Sequence, residues 1–132
     1  MKYLLDTDTC IFALKGNPRV LETLLSQRRA DVAVSVITEA ELRTGAAKSA
    51  TPGQTLMRIE RFLRPVQIIP FDSDDAVAYA DVRAALEKAG TPFGPLDTLI
   101  AAQAVRRGLI LVTNNQREFS RVRGLNLENW AE

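Results

Sequence analysis

The chain is 132 residues long, with 46% hydrophobic residues, 25% charged residues and a formal net charge of +1. This composition is ordinary for a water-soluble globular protein and predicts a single domain spanning residues 1–132. No apolar run approaches the roughly 20 residues of a membrane helix. The first residues lack the pattern of a signal peptide, and the single Cys10 favours a reducing cytoplasm.

The chain contains no histidine and only one cysteine, which excludes several kinds of catalytic site. Hydrolases with a histidine base, histidine-ligated zinc sites and thiolate zinc sites all lack their essential residues. A catalytic centre must therefore use carboxylate, hydroxyl, lysine or arginine side chains.

Strand and helix patterns alternate along the chain. Short apolar or β-branched runs predict strands, and apolar residues at helical spacing between Pro and Gly signals predict helices. The predicted strands are 2–5, 31–37, 65–71, 109–113 and a possible edge strand at 125–130. The predicted helices are 10–16, 18–29, 38–49, 53–64, 73–90 and 95–108, with a short helix or turn at 114–122.

This alternation predicts an α/β fold, a three-layer α/β/α sandwich around a central, mostly parallel sheet of four to five strands. Two helices stand between consecutive strands in 37–64 and in 73–107, where one would suffice. One helix of each pair is expected to pack outside the basic sandwich and to offer a dimer surface.

Asp6 and Asp8 follow the first strand directly, in the stretch "YLLDTDTC". Ligands bind open parallel sheets at the carboxyl ends of the strands, so Asp6 is expected to lie in a binding crevice. Asp8 precedes a helical run and is interpreted as its N-cap. Asp6 lies too early to cap that run.

Glu41 follows the second strand, in "SVITEAELRTG". Thr38 and Glu41 have the spacing of a capping box, but Glu41 can equally reach the region where Asp6 points. Glu39 is expected to face water.

Asp97 lies in the first turn of a predicted helix, where an acid is favoured by the helix dipole. Its helical neighbours Ile100, Ala101 and Ala104 are apolar or small, which is typical of a buried face. A carboxylate aimed along that face requires a partner.

The fourth strand ends in "LVTNNQREF", so Thr113, Asn114 and Asn115 lie at the same edge, with Glu118 close behind. Their oxygen atoms can complete the hydration shell of a metal ion or hold a phosphate. The alternative is a polar loop that starts a short helix.

The topology thus brings Asp6, Glu41 and Asp97 to one edge of the sheet. Clustered carboxylates repel one another, and a hard divalent cation relieves that repulsion. Oxygen ligands suit Mg²⁺ or Mn²⁺, which can activate water and stabilise charge on a phosphoryl oxygen. Metal-assisted phosphodiester hydrolysis is the reaction that this set of residues favours.

The motifs "YLLDTDTCI", "SVITEAELRTGAAKS", "GTPFGPLDTLIAAQA", "GLILVTNNQREF" and "LENW" together resemble the PIN-domain ribonucleases, in particular the VapC-type toxins of toxin–antitoxin pairs. The resemblance covers nearly the whole chain and implies a Mg²⁺- or Mn²⁺-dependent endoribonuclease. It also implies a homodimer and a VapB-type antitoxin that blocks the active site. Toxins with this pattern cut initiator tRNA in the anticodon loop.

Matched to that pattern, Asp6, Glu41 and Asp97 stand for the family's first three acids and for its metal ligands. The fourth acid is missing, because Thr113 is followed by two asparagines. Glu118 can replace it, or Asn115 can bind through water, and this puts a second metal ion in doubt. Asp8 stands where the family usually has Asn and is interpreted as an auxiliary hydrogen-bonding residue.

Further roles follow for residues near the expected cleft. Arg117 and Arg43 are candidates for holding the RNA backbone, and Thr7 and Thr113 for contacting phosphate. Two alternatives remain open at this point. One is a haloacid-dehalogenase-like phosphatase, suggested by "DTDT" and "FDSDD". The other is a catalytically weak PIN-like module that only binds RNA or protein.

Overall fold

The computed structural model describes residues 1–132 and contains five strands, seven α-helices and a short 3₁₀ helix at Arg29–Asp31. The strands are β1 (Tyr3–Leu5), β2 (Val32–Ser35), β3 (Gln67–Ile69), β4 (Ile110–Val112) and β5 (Asn126–Glu128). The helices are α1 (Thr7–Leu14), α2 (Pro18–Ser26), α3 (Val36–Ala47), α4 (Pro52–Leu63), α5 (Ser73–Lys88), α6 (Pro95–Arg107) and α7 (Gln116–Phe119). None of these helices combines the length and the apolar character needed to cross a membrane.

The five strands form one fully parallel sheet in the order β3-β2-β1-β4-β5. Strand β1 is central, and Leu5 is in register with Val34 of β2 and Val112 of β4. One residue further along each strand, Asp6 therefore lies between Ser35 and Thr113. This register sets the position of the first acid.

Helices cover both faces of the sheet, which confirms the predicted three-layer α/β/α sandwich. Side chains alternate across the pleat, so Tyr3 and Leu5 pack with α1 to α4, whereas Leu4 packs with α5 to α7. All three are buried. Parallel strands that are covered on both faces have no wet side, which explains the unbroken apolar run of β1.

Four helices, α1, α3, α4 and α7, start at residues other than the predicted ones, and the starts of α1 and α3 change a predicted cap. Helix α1 begins at Thr7, three residues early, and Asp6 is its N-cap, with its carboxylate accepting a hydrogen bond from the Thr9 amide. The assignment of this cap to Asp8 was wrong. Helix α3 begins at Val36 with Ser35 as N-cap, so the predicted capping box of Thr38 and Glu41 was also wrong.

Helix α5 is attached to α6 by a buried ion-pair network. Asp75 is fully buried and accepts hydrogen bonds from Arg106 Nη1 at 2.9 Å, Arg107 Nη2 at 3.0 Å and Gln103 Nε2 at 3.0 Å. Burial raises the pKa of Asp75, but the hydrogen bonds, led by that of Arg107, outweigh burial and lower the pKa below its ordinary value. The network therefore needs an ionised Asp75.

We expect Asp75→Asn to lower the free energy of unfolding by about 2–3 kcal/mol at pH 7, because two partly buried arginines lose their charge partner. The folded-state pKa of Asp75 lies below its unfolded value, so this contribution is present at neutral pH and is lost as pH falls below about 4. Urea titrations at several pH values measure both effects. Asp74→Asn is the control, since Asp74 is 78% exposed, and equal stability of the Asp75 variant and the native chain would contradict the prediction.

Candidate active site

Asp6 directly follows the last residue of β1, at the carboxyl end of the strand. Its side chain is only 2% exposed, and its Oδ1 accepts from the Thr9 amide at 2.8 Å. The Thr9 hydroxyl donates to the Val112 carbonyl at 2.9 Å, which fastens this helix start to β4. Burial is the main cause that raises the pKa of Asp6, and hydrogen bonds from Thr113 and Thr9 oppose it.

Asp97 lies in the first turn of α6 and is partly buried. Its pKa is raised to about 6, mainly by burial and then by the negative charges of Glu41, Asp6, Asp8 and Glu118, in that order. These causes place the four acids in the electrostatic neighbourhood of Asp97. Asp6, Glu41 and Asp97 therefore lie near one another at this edge, and their roles in catalysis and metal binding stay predictions.

Glu41 reaches this edge from the second turn of α3. Its Oε1 accepts a hydrogen bond from the Thr7 hydroxyl at 2.7 Å, so the first turn of α1 holds this carboxylate. Glu39 is not simply solvated as expected. Its side chain is 21% exposed and lies 3.0 Å from Arg43 Nη2, so Arg43 already has a charge partner.

Polar residues after β4 form a connected chain of hydrogen bonds. Thr113 is fully buried, and its hydroxyl accepts from the Asn115 amide at 2.9 Å. Asn115 Nδ2 donates to Glu118 Oε1 at 3.0 Å. Asn114 is exposed and pairs instead with Asn129. These hydrogen bonds hold Glu118 near the carboxylate cluster, where the family pattern would have an acid next to Thr113.

Asp8 and Arg117 lie on the solvent side of the site. Both residues are exposed, and Asp8 acts on Asp6 and Asp97 through its charge. Arg117 donates to no acid of the chain through its side chain. It remains available to a polyanion.

The donor chemistry fits a hard divalent cation, because every acid in the cluster is an oxygen donor and Asp97 is destabilised by its neighbours. No three acids are placed to ligate one ion together, so the predicted shared shell of Asp6, Glu41 and Asp97 is not formed by the side chains as they stand. Mg²⁺ usually keeps several waters and needs only one or two direct carboxylates. Asp6 and Asp97 would suffice for such a site.

Sequence reasoning missed the structural parts played by Thr9 and Thr38. Thr9 stands three residues after Asp6, and that spacing is the signal for a carboxylate cap on its amide. Thr38 was interpreted as a cap, yet its hydroxyl lies 3.2 Å from that of Thr7. Helical spacing from Glu41 was the available signal, since residues three apart share a face.

A groove with a volume of about 360 Å³ opens beside Glu41. It lies between α1, α3 and α4, and its walls are mainly apolar. Its lining residues include Ile11, Leu42 and Ile59, together with Lys15 and Arg58. An apolar surface of this size next to a carboxylate cluster suits a partner segment with apolar side chains.

The comparisons with known proteins cover almost the entire chain. The PIN domain family model matches residues 3–125. The chain is 39% identical over 131 residues to the tRNA(fMet)-specific endonuclease VapC of Salmonella typhimurium, spanning 99% of each chain. It is 41% identical over 131 residues to ribonuclease VapC2 of Haemophilus influenzae, again spanning 99% of each.

Solved structures agree with these relatives. A chain in the crystal structure of DNA-bound VapBC from Salmonella typhimurium superposes with a TM-score of 0.94 at 39% identity, covering 98% of both chains. A chain of VapBC2 from Rickettsia felis, bound to a promoter DNA fragment, superposes with a TM-score of 0.91 at 36% identity, covering 98% of this chain and 99% of that one.

We expect Asp97→Asn to stabilise the metal-free protein at pH 7.5 by about 1–2 kcal/mol, which raises the melting temperature by about 4 °C. The folded-state pKa of about 6 exceeds the unfolded value of about 3.9. Ionising Asp97 therefore costs stability as pH rises through that window, and the variant avoids the cost. At pH 4 the two proteins should melt together.

Thermal melts in a chelator at both pH values measure this difference. Glu22→Gln on the exposed face of α2 is the control for loss of one negative charge. A destabilised Asp97→Asn protein at pH 7.5 would show that the charge of Asp97 is compensated within the chain.

Proposed function

This chain belongs to the PIN domain family, and its full-length relatives place it among the VapC proteins; from this premise we propose that it is a metal-dependent endoribonuclease and the toxin of a toxin–antitoxin pair. It acts in the cytoplasm on single-stranded RNA loops, and the anticodon loop of initiator tRNA is the proposed target. The observation that carries the proposal is the carboxylate cluster at the carboxyl edge of the sheet, where Asp6 follows the central strand and the adjacent Thr7 holds Glu41 at 2.7 Å. The raised pKa of Asp97 agrees with this arrangement.

Mg²⁺ or Mn²⁺ is the proposed cofactor. When bound, either ion lowers the pKa of a coordinated water and neutralises charge that develops on the phosphoryl oxygens. Asp6 and Asp97 would hold the ion, and Glu41 would hold it or orient the water. The absence of histidine supports this assignment, because the chain offers no imidazole as general base.

Three further acidic side chains of the site have separate proposed roles. Glu41, fixed through one oxygen by Thr7, offers its other oxygen to the attacking water. Glu118, fixed by Asn115, takes the place of the missing fourth acid. Asp8 keeps an auxiliary hydrogen-bonding role at the exposed rim.

RNA is the proposed substrate because two relatives are named a tRNA(fMet)-specific endonuclease and a ribonuclease. Single-stranded loops can enter a narrow cleft because their bases and backbone are exposed. Arg117 is the better candidate for the RNA backbone, since Arg43 is already paired with Glu39. Thr113 is fully buried, so we assign it to Asp6 rather than to phosphate.

A cognate VapB-type antitoxin is the proposed partner, because the structural neighbours are VapBC complexes. The groove beside Glu41 would accept an apolar segment of that protein. A chain seated there lies against the carboxylate cluster and blocks entry of RNA.

The phosphatase alternative loses its supporting residues. It needed the acids of "FDSDD" as metal ligands, but Asp72, Asp74 and Asp75 are engaged by Arg106, and Asp72 and Asp75 also by Arg107. The second alternative is a PIN-like module that only binds. It predicts that the protein binds RNA but does not cleave it when the metal ion is present.

The purified protein is expected to cut total tRNA into distinct fragments with Mg²⁺ and to stop when a chelator removes the ion. Asp97→Asn should reduce the cleavage rate by at least about 100-fold, and Glu22→Gln should leave it unchanged. Gel analysis of the fragments, with mapping of their ends, measures both effects. Equal cleavage with chelator, or by the Asp97 variant, would refute the proposed mechanism.

The outer face of α5 supports the proposed homodimer. Ala76, Ala80 and Ala84 are exposed, and Val77 is 64% exposed. Such an apolar strip on a long helix is typical of an interface between subunits. Val77→Arg is therefore expected to shift the sedimentation coefficient towards that of a monomer. Leu25→Arg, at a position on α2 that is 81% exposed, should leave the coefficient unchanged.

A further inference from the structure

Three arginines on and just after α7 form a positively charged row beside the carboxylate cluster. The stretch 116–124, "QREFSRVRG", contains Arg117, Arg121 and Arg123, which we call the α7 arginine row. All three residues are exposed. Glu118 is the one acid of this stretch, and it belongs to the cluster, since its charge acts on Asp97. The row therefore begins one residue from the carboxylate cluster.

Two buried side chains fix the backbone that carries the α7 arginine row. Phe119 and Val122 are 1% and 5% exposed and pack in the core on the side of the sheet that α5 to α7 cover. The Phe119 ring contacts that of Phe93 edge to face, with the ring centres 5.5 Å apart. The amides of Arg121 and Val122 donate to the carbonyls of Glu118 and Phe119, so tight turns continue beyond α7. With Phe119 and Val122 turned inward, this stretch presents its arginines to solvent.

None of the three guanidinium groups has a charge partner within the chain. The arginines that form ion pairs are Arg28, Arg43, Arg83, Arg106 and Arg107. Arg121 donates to the Thr91 carbonyl at 3.5 Å, the long end of hydrogen-bond distance. An unpaired guanidinium group can bind two oxygens of an anion at once, and phosphate is one of its preferred partners.

A concave site with a volume of about 220 Å³ lies between α5 and the α7 arginine row. Arg121 and Arg123 both line it, and Val82 and Leu86 are among its apolar residues. Asp81 is the one acid of the lining, and it forms an ion pair with neither arginine. Two guanidinium groups at one concave surface favour an anion, and the charge of Asp81 weakens that preference.

The charge of the carboxylate cluster explains why an RNA substrate needs such a surface. Five acids share the cluster, and one divalent cation leaves three of their negative charges uncompensated. That excess repels the phosphates that flank the bond to be cut. The α7 arginine row supplies three unpaired positive charges beside the cluster, which offset this repulsion.

We propose that the α7 arginine row binds the RNA backbone: Arg117 binds a phosphate beside the carboxylate cluster, and Arg121 and Arg123 bind a phosphate further along the strand, in the concave site against α5. This inference rests on the proposed function, and it extends the one contact of Arg117 to a surface that continues to α5. Phosphate contacts position a nucleic acid without reading its sequence. The row therefore contributes to affinity for RNA and not to the chemical step.

The test measures binding of 3′-labelled total tRNA to Arg121→Gln/Arg123→Gln by fluorescence anisotropy. A KCl series is used, with EDTA present so that the RNA stays intact. Each phosphate contact contributes roughly 0.7 to 0.9 to the slope of log affinity against log salt concentration. The expected slope is therefore shallower than that of the native chain by about 1.5, and the dissociation constant at low salt is raised about 10-fold.

Two further variants separate a local contact from a general effect of charge or folding. Lys2→Gln/Arg29→Gln removes two exposed positive charges that precede β1 and β2, at the opposite edge of the sheet, and should keep the native slope. Asp81→Asn should lower the dissociation constant about twofold to threefold, because it removes a negative charge from the concave site. A gain in affinity cannot come from loss of structure, and thermal melts check the fold of every variant.

Steady-state cleavage of the same tRNA with Mg²⁺ gives a second readout. Arg121→Gln/Arg123→Gln should raise KM about 10-fold and keep kcat within about twofold, as expected for a contact made equally before and during reaction. A fall in kcat with unchanged KM would refute the binding role.

The outcomes distinguish this inference from the proposed function. If the native chain cleaves RNA but Arg121→Gln/Arg123→Gln keeps the native salt slope, or the control variant loses as much, the α7 arginine row is refuted alone. If the native chain binds RNA with the expected slopes but does not cleave it, the row is supported and hydrolysis is refuted. If the native chain does not bind RNA, both fail.

Discussion

Repulsion among carboxylates at the carboxyl edge of the sheet is the constraint on which the site depends. The fully parallel register brings the end of β1 next to the ends of β2 and β4. The first turn of α6 supplies Asp97 to the same edge. Five acids then share one electrostatic neighbourhood without an internal cation to neutralise them. Buried hydrophobic clusters lie on both faces of the sheet that carries this site.

Charge balance elsewhere in the molecule is achieved in a different way. Asp75 is as buried as any acid of the site, yet two arginines surround it and its pKa falls instead of rising. Asp75 has its counter-charge within the chain, whereas Asp97 lies among negative charges. A perturbed acid of the second kind is a candidate for a functional residue, and it suits the proposed metal ion.

The order of elements, the sandwich and the convergence of three acids were predictable from apolar runs, Pro and Gly signals and strand topology. Helix starts were not. Val36 and Ile37 are β-branched and resemble a continued strand, but the Ser35 hydroxyl caps the Ile37 amide and begins α3 there. Similarly, Asp6 serves at once as N-cap and as a candidate ligand, a double use that spacing alone does not reveal. The contact between the hydroxyl groups of Thr7 and Thr38 depends on the distance between two helices, which local sequence does not encode.

The central place of β1 has a consequence for the order in which the site is assembled. The chain begins with β1, but one of its two neighbouring strands is β4, at Ile110–Val112, and Asp97 is also supplied late. Domains fold largely as units during synthesis. The carboxylate cluster can therefore form only after the ribosome has added the residues up to Val112.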